Sequence, residues 1–281
     1  MPSPVIIFGK GYLGHRFASA LPGSELVPTD ITDPDAVARI LDRVKPSSIL
    51  NAAGKTGTPN VDWCETHPVE TYRSNVIGAL RLAEAAAARG VHLCHIGSGC
   101  IFYGPCPYRP GGWREEDPAN PSGFYSRTKY AADLVLSRLP NVCIARIRMP
   151  IDSAPHPRNL ITKLARYPKV IDVENSVTVV EDLLTAVRAL LERRAEGVFH
   201  VTNPGAMRHR DLLALYREHV DPKHSVELIP EEALVETGLA VKARSNCILE
   251  SPRLEALGIR LRPIDEALRS AMIAYGRESR R

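Results

Sequence analysis

The sequence is short of every pattern that marks a metal protein or a disulfide scaffold. Its six cysteines, Cys64, Cys94, Cys100, Cys106, Cys143 and Cys247, form no CxxC pair, and no histidine pair stands near them at ligand spacing. No metal site is expected, and Cys94 and Cys143, inside apolar runs, are expected to be buried thiols. Runs of membrane-spanning length are missing too, and the first apolar run, Val5–Phe8, is too short for a signal peptide. There is no stripe of one charge: 36 Lys and Arg stand against 32 Asp and Glu, dispersed along the chain for a net +4. These absences argue against a nucleic-acid surface or a membrane partner and point to a reduced, cytoplasmic protein. The mildly positive balance suits an anionic ligand such as a dinucleotide or a sugar nucleotide.

The 281 residues, 44% apolar and 24% charged, are enough to bury a full core, and length alone allows one large domain or two small ones. Short β-branched runs at Val5–Phe8, Ser48–Asn51, 93–97, 142–146 and 198–202 alternate with helical patterns over 33–44, 68–89, 124–139 and 180–193. Asp33-Pro34 supplies an N-cap with a first-turn proline, and Thr178 with Glu181 has the spacing of a capping box. This alternation predicts an α/β fold: a Rossmann-type, doubly wound parallel sheet with right-handed crossovers. From about Arg148 the alternation loosens: Pro150, Pro155, Pro157 and Pro168 break the region after the fifth run, and Pro222, Pro230, Pro252 and Pro263 punctuate the last sixty residues. The expected division is a dinucleotide-binding lobe over 1–147 and a smaller C-terminal substrate lobe over 148–281, with the strand near 198–202 returning to the main sheet. The arginine-rich end, 277–281, is expected to fray.

Gly9-Lys10-Gly11-Tyr12-Leu13-Gly14 follows the first strand and opens a helix, the place where a dinucleotide pyrophosphate sits. Glycine permits close backbone approach, and a helix N-terminus offers N–H groups and a positive dipole end. An ordinary glycine-rich turn is the plain alternative; the position at the first strand favours the dinucleotide. Asp30 falls where a ribose-binding carboxylate is expected, and Asp30-Ile31 equally suits an adenine contact. NADPH and NADH both stay open, with NADPH favoured.

Tyr125-Ser126-Arg127-Thr128-Lys129 puts a phenol and an ammonium on one helix face. The cation is expected to lower the phenol from its reference pKa of about 10, so that Tyr125 exchanges the proton that accompanies hydride transfer at a carbonyl. A helix surface pair without function has the same spacing. Ser98, just past the 93–97 run, is placed to hydrogen-bond that carbonyl, although serines after strands are commonly turn residues.

In order, the glycine turn, Asn51-Ala52-Ala53-Gly54, Asn75-Val76-x-Gly78, Ser98 and Tyr125-x3-Lys129 resemble the extended short-chain dehydrogenases. Within them, Val61-Asp62-x-x-Glu65-x-x-Pro68 looks like the dTDP-4-dehydrorhamnose reductases. The likeness is closer still to the plant-type UDP-4-keto-6-deoxyglucose 3,5-epimerase/4-reductases. It is carried by Gly99-Cys100-Ile101-Phe102, Arg146-Ile147-Arg148-Met149-Pro150, Pro157-Arg158-Asn159, Ile161-Thr162-Lys163, Thr202-Asn203-Pro204-Gly205 and Arg244-Ser245-Asn246. It covers nearly the whole chain, with two departures: the glycine turn is one residue shorter than the family's usual form, and Lys55 stands where an apolar residue is more common.

The resemblance implies that NADPH or NADH lies on the glycine turn, Asp30, Ile31, Asn51, Ala52, Ala53, Tyr125 and Lys129. It implies a UDP- or dTDP-linked 4-keto-6-deoxyhexose between the lobes, anchored by Arg148, Asn159, Arg244 and Asn246 and converted to the L-rhamnose sugar nucleotide. Inversion at C3 and C5, both α to the ketone, needs an acid and a base, and the resemblance assigns these to Cys100 and Lys163. From chemistry alone, a packed cysteine and a solvated lysine are the stronger readings. Gly99 and Cys100 replace the Asp-Glu of the 4,6-dehydratases, so dehydration is not expected, and a separate upstream 4,6-dehydratase must supply the keto-sugar. Two rivals remain: a 4-reductase without epimerase activity, and a non-catalytic NAD(P)-binding regulatory subunit. A homodimer paired through the 68–89 and 124–139 helices is a further expectation.

Overall fold

The computed structural model describes residues 4–280. Six parallel strands form the central sheet: β1 Val5–Phe8, β2 Glu25–Val27, β3 Ser48–Asn51, β4 His92–Ser98, β5 Val142–Ile147 and β6 Gly197–His200, in the spatial order β2-β1-β3-β4-β5-β6. The expected α/β, Rossmann-type sheet is therefore present. Ile6 aligns with Ile49 and with Glu25, and Leu50 with Cys94. Every residue of β3 and β4 is buried, as strands covered by helices on both faces require. β2 has no signal in the sequence; three residues are too few to show alternation, and pairing with β1 decides their conformation.

The helices on this sheet include α1 Tyr12–Ala20, α2 Pro34–Val44, α3 Trp63–Thr66, α4 Pro68–Tyr72, α5 Ala79–Ala87 and α6 Phe124–Leu136. Asp33 caps α2 as expected, accepting from the Ala36 N–H at 2.9 Å, and Lys45 closes it in the left-handed conformation. The 68–89 pattern, expected as one helix, is broken by a π-helical segment, Arg73–Gly78, between α4 and α5. The wider turn lets the buried Asn75 bind the Lys55 backbone on both sides, accepting from its N–H at 2.7 Å and donating to its carbonyl at 3.0 Å. Of the pair expected to form a capping box, the Thr178 hydroxyl donates to the Val201 carbonyl at 2.7 Å, and the Glu181 carboxylate accepts from Ser153.

The chain divides into two compact units and passes between them more than once. The first takes the chain up to Ile101, Gly123–Arg146 and Val187–Phe199; its core joins Ile6, Phe8, Ile49, Leu82, Leu93, Leu136 and Ile144. The second takes Phe102–Ser122, Ile147–Ala186 and the chain from His200 onward. Its own core gathers Ile151, Leu164, Val179, Leu212, Met272 and Tyr275 under the helices Leu160–Arg166, His209–His219 and Ile264–Ser279. That last helix runs through Arg277, so the end expected to fray is helical as far as Ser279. Among the described residues no helix is long and apolar enough to cross a membrane.

Candidate active site

In the first unit the glycine turn is held tightly from behind and open in front. Gly9 has φ +103°, and a Cβ there would stand 2.4 Å from the Ala53 nitrogen; one on Gly14 would stand 1.8 Å from the Gly9 carbonyl oxygen. Among the described residues no atom lies within 4 Å of a Cβ on Gly11, and Gly11 is the N-cap of α1 with no side-chain cap bond. A cleft of about 450 Å³ opens here, at the carboxyl ends of β1 and β3, where the strand order reverses. Gly9, Lys10, Gly11, Asp30, Ala52 and Ala53 line it, with Lys55 and Arg73 adding positive charge and Glu70 negative. Bare glycine backbone, a helix N-terminus and three cations against two carboxylates fit a dinucleotide diphosphate. The Asp30 carboxylate accepts from the Thr32 N–H at 2.9 Å. Ile31 is 3% exposed and packs in the core beside Gly78, so its side chain is not in the cleft, where an adenine contact was expected.

At the end of β4, Ser98 closes the strand and Cys100 follows in a single 3₁₀ turn, its N–H donating to the Ser98 hydroxyl at 3.2 Å. Tyr125 approaches from the first turn of α6. That helix is started from outside itself: Glu65, carried by α3, accepts the Phe124 N–H at 2.6 Å. Asn75 donates to the Thr128 hydroxyl at 3.1 Å, and Thr128 donates to the Tyr125 carbonyl at 2.7 Å. The loop after β3 and the catalytic-type helix are thereby locked in one register.

Electrostatics at Tyr125 run opposite to the expectation from spacing. Burial pushes the phenol above its ordinary value, the nearby Cys100 adds to this, and the hydrogen bond from Ser98 only partly opposes it. Lys129 does not lower it, because its ammonium group turns away into the core. Its Nζ lies 3.0 Å from His95 Nε2 and donates to the Ile96 carbonyl at 2.9 Å. Burial brings Lys129 down to about 8, against the opposing pull of Asp133, which is itself paired with Arg146 at 2.8 Å. A protonated phenol is the state needed to donate a proton to an alkoxide, and a lysine near 8 exchanges protons in the working range.

In the second unit, Lys163 stands on the Leu160–Arg166 helix; burial lowers it first, and Arg158 and Arg244 lower it further. These three form a cationic group suited to an anion. Arg148 and Asn159 were expected to anchor substrate, and the structure gives both internal work instead. Arg148 is 1% exposed, its guanidinium donating to Asn175 and to the Ser245 hydroxyl and carbonyl. Asn159 is fully buried and caps the Leu160–Arg166 helix. Its amide nitrogen donates to the Asp152 and Ala154 carbonyls, and its oxygen accepts from the Ile161 and Asp152 N–H groups, which fills its capacity. Asn246 accepts from Asn175 at 2.9 Å, continuing the Arg148 network. Sequence reasoning missed His95, Asp133 and the capping task of Glu65. His95 sits inside an apolar strand pattern with nothing to mark it, whereas Glu65 and Asn75 were visible only as motif letters.

Fold and site define a Rossmann-type α/β protein with a glycine turn at the switch point of its sheet and a hydroxyl-thiol-phenol group at the end of its fourth strand. The chain belongs to the RmlD substrate binding domain family, whose model matches residues 5–276. A bifunctional dTDP-4-dehydrorhamnose 3,5-epimerase/dTDP-4-dehydrorhamnose reductase of Arabidopsis thaliana is 38% identical over 275 residues, covering 94% of this chain and 90% of that protein. A trifunctional UDP-glucose 4,6-dehydratase/UDP-4-keto-6-deoxy-D-glucose 3,5-epimerase/UDP-4-keto-L-rhamnose-reductase of the same plant is 38% identical, and the chain spans only 37% of that longer protein. Among solved structures, a UDP-rhamnose synthase from Acanthamoeba polyphaga mimivirus superposes with a TM-score of 0.90 at 28% identity, covering 98% of this chain and 100% of that one.

Proposed function

We propose that the chain is a nicotinamide-dependent 4-keto reductase of a nucleotide-linked 6-deoxyhexose that also epimerises C3 and C5, yielding an L-rhamnose sugar nucleotide. The observation that carries the reading is the convergence of Ser98, Cys100 and Tyr125, from a strand, a 3₁₀ turn and a helix, at the carboxyl end of β4 in the unit that holds the glycine cradle. The bifunctional relative, 38% identical over nearly the full length of both chains, supports the substrate class.

Gly9, Lys10, Gly11, Ala52 and Ala53 hold the diphosphate of NADPH or NADH, with the first turn of α1, Tyr12 to Gly14, behind it and Asp30 at the ribose end. When bound, the cofactor supplies the hydride that reduces the C4 ketone. Ser98 donates a hydrogen bond to the C4 oxygen, and Tyr125, kept protonated by its burial, gives that oxygen its proton. The ketone acidifies the C3 and C5 hydrogens. Cys100, two residues from Ser98, and Lys163, lowered by burial and two arginines, are the acid/base groups at those carbons. Arg244 and Arg158 pair with the diphosphate of the sugar nucleotide.

The test is incubation with UDP-4-keto-6-deoxyglucose, or its dTDP counterpart, and NADPH in D2O, with the product read by NMR. Cofactor oxidation with deuterium at C3 and C5 is expected. Oxidation only with substrate that has already been epimerised identifies a reductase alone. No oxidation with either nucleotide sugar refutes the enzymatic reading and leaves a cofactor-binding regulatory subunit.

A further inference from the structure

Lys55 lines the cleft of the first unit at a position where an apolar residue is more common in the family, and it is exposed, so packing gives no reason for the charge. Its place is fixed through the backbone. Asn75, 1% exposed, accepts from the Lys55 N–H at 2.7 Å and donates to the Lys55 carbonyl at 3.0 Å. The same amide donates to the Thr128 hydroxyl at 3.1 Å, and Thr128 donates to the Tyr125 carbonyl at 2.7 Å. The Cys64 thiol lies 4.0 Å from the Lys55 carbonyl as well. Lys55 is thus tied through one buried side chain to the helix that carries Tyr125. That is a framework for holding a functional side chain at a set place in the cleft wall.

The strand order β2-β1-β3-β4 gives the cleft a direction. Asp30 stands beyond β2 at one end, the glycine turn follows β1, Lys55 follows β3, and Ser98 closes β4 beside Tyr125. A hydride carrier must present its nicotinamide at the Ser98 and Tyr125 end. Its adenosine then belongs at the Asp30 end and its two phosphates at the turn between. On this layout Lys55 is the cation on the nicotinamide side of the turn, whereas Lys10 belongs to the turn itself and Arg73 to the helical wall that also carries Glu70.

We infer that Lys55 is a cofactor-binding residue whose ammonium pairs with the nicotinamide-side phosphate of the dinucleotide, opposite the glycine turn. The inference rests on the reductase reading above and adds to it a residue that sets cofactor affinity. Among the described residues no carboxylate lies within ion-pair distance of this ammonium, whose side-chain contact is the face of Trp63, 5.5 Å to the ring centroid. An exposed cation–π contact is weak, so it keeps the side chain beside the cleft without competing with a phosphate. The charge is also felt toward the catalytic end: burial raises the Cys64 thiol, the Lys55 charge opposes that rise, and Cys64 in turn acts on Tyr125. The phosphate concerned is common to NADPH and NADH, so Lys55 contributes equally to the binding of both and does not tell them apart.

The experiment is calorimetric titration of the whole protein and of Lys55→Met with NADPH, NADH, ADP-ribose and AMP. ADP-ribose carries both phosphates without the nicotinamide, and AMP carries only the adenosine-side phosphate. In Lys55→Met the first three are expected to bind about 10-fold more weakly, the size of one charge-assisted hydrogen bond, and AMP to change by less than about twofold. Added salt is expected to weaken NADH binding more steeply in the wild type than in the variant. Lys55→Arg keeps the cation and is expected to bind within about threefold of the wild type. The melting temperature of Lys55→Met is expected to stay within about 3 °C, since only an exposed ring contact is lost; if that variant does not fold, Lys55→Gln supplies the same reading. Unchanged affinity for ADP-ribose, an equal loss for AMP, or a loss confined to NADPH overturns the inference, the last by assigning Lys55 to the 2′-phosphate. A wild type that binds none of the four probes refutes the cofactor reading and this inference with it, whereas binding that the substitution leaves intact refutes this inference alone.

Discussion

Gly11→Ala is the perturbation that most cleanly separates a cofactor cradle from an ordinary tight turn. Among the described residues a Cβ on Gly11 meets no atom within 4 Å, and φ is −83°, a conformation any residue adopts. The only structural loss is the weaker N-cap propensity of alanine, on the order of 0.5 kcal/mol, or about 1–2 °C in a chain of this size. Ligand binding is another matter, because the methyl would stand where the diphosphate approaches bare backbone. Overpacking of that kind costs roughly 1–3 kcal/mol, which is about 5- to 150-fold in affinity. Gly9→Ala provides the contrast. Its Cβ would press on the Ala52–Ala53 backbone at 2.4–2.5 Å at φ +103°, so both stability and binding fall, by about 2–5 kcal/mol for the fold. The assay is a thermal melt beside calorimetric titration with NADPH and NADH. Full nucleotide affinity in Gly11→Ala refutes the placement of the diphosphate at this turn.

Cys100→Ser and Lys163→Met, assayed in D2O, are each expected to abolish deuterium exchange at C3 or C5 while cofactor oxidation persists with pre-epimerised substrate; exchange at the wild-type rate in both removes them from the acid/base roles. Arg148→Lys leaves Asn175 and Ser245 short of donors in a buried place and is expected to destabilise the fold by about 2–3 kcal/mol in urea melts, with KM for the sugar nucleotide little changed. Asp133→Asn leaves the Arg146 charge buried without its partner and is expected to destabilise by about 3–5 kcal/mol, whereas Asp133→Leu with Arg146→Met recovers most of the loss. His92, His95 and His209 are all lowered in the fold, chiefly by burial. The unfolded chain therefore binds more protons below about pH 6.5, and stability present above that pH is lost as the pH falls toward the folded values, by up to about 1.4 kcal/mol per unit for each histidine. Urea melts between pH 7.5 and 5.5 measure the slope, and His209→Gln is expected to flatten it.

The amino-acid sequence alone determined the alternating architecture, because parallel strands buried on both faces are continuous apolar runs and amphipathic helices repeat every 3.6 residues. It marked Gly9 to Gly14, Ser98, Tyr125 and Lys129 for the same reason: each stands at a fixed offset from a recognisable element. What only the tertiary structure decided is where polar side chains point once they are buried. Arg148 and Asn159 carry the letters of substrate anchors, yet their hydrogen bonds close inside the second unit. Lys129 sits one turn from Tyr125 by spacing, yet its amine turns to His95 and Ile96, reversing the expected effect on the phenol. The single expected helix over 68–89 breaks at Asn75 for a bond to the backbone of Lys55, twenty positions away. Local spacing fixes backbone periodicity, but a buried donor or acceptor must find its partner wherever the chain brings one, and those partners are distant in sequence.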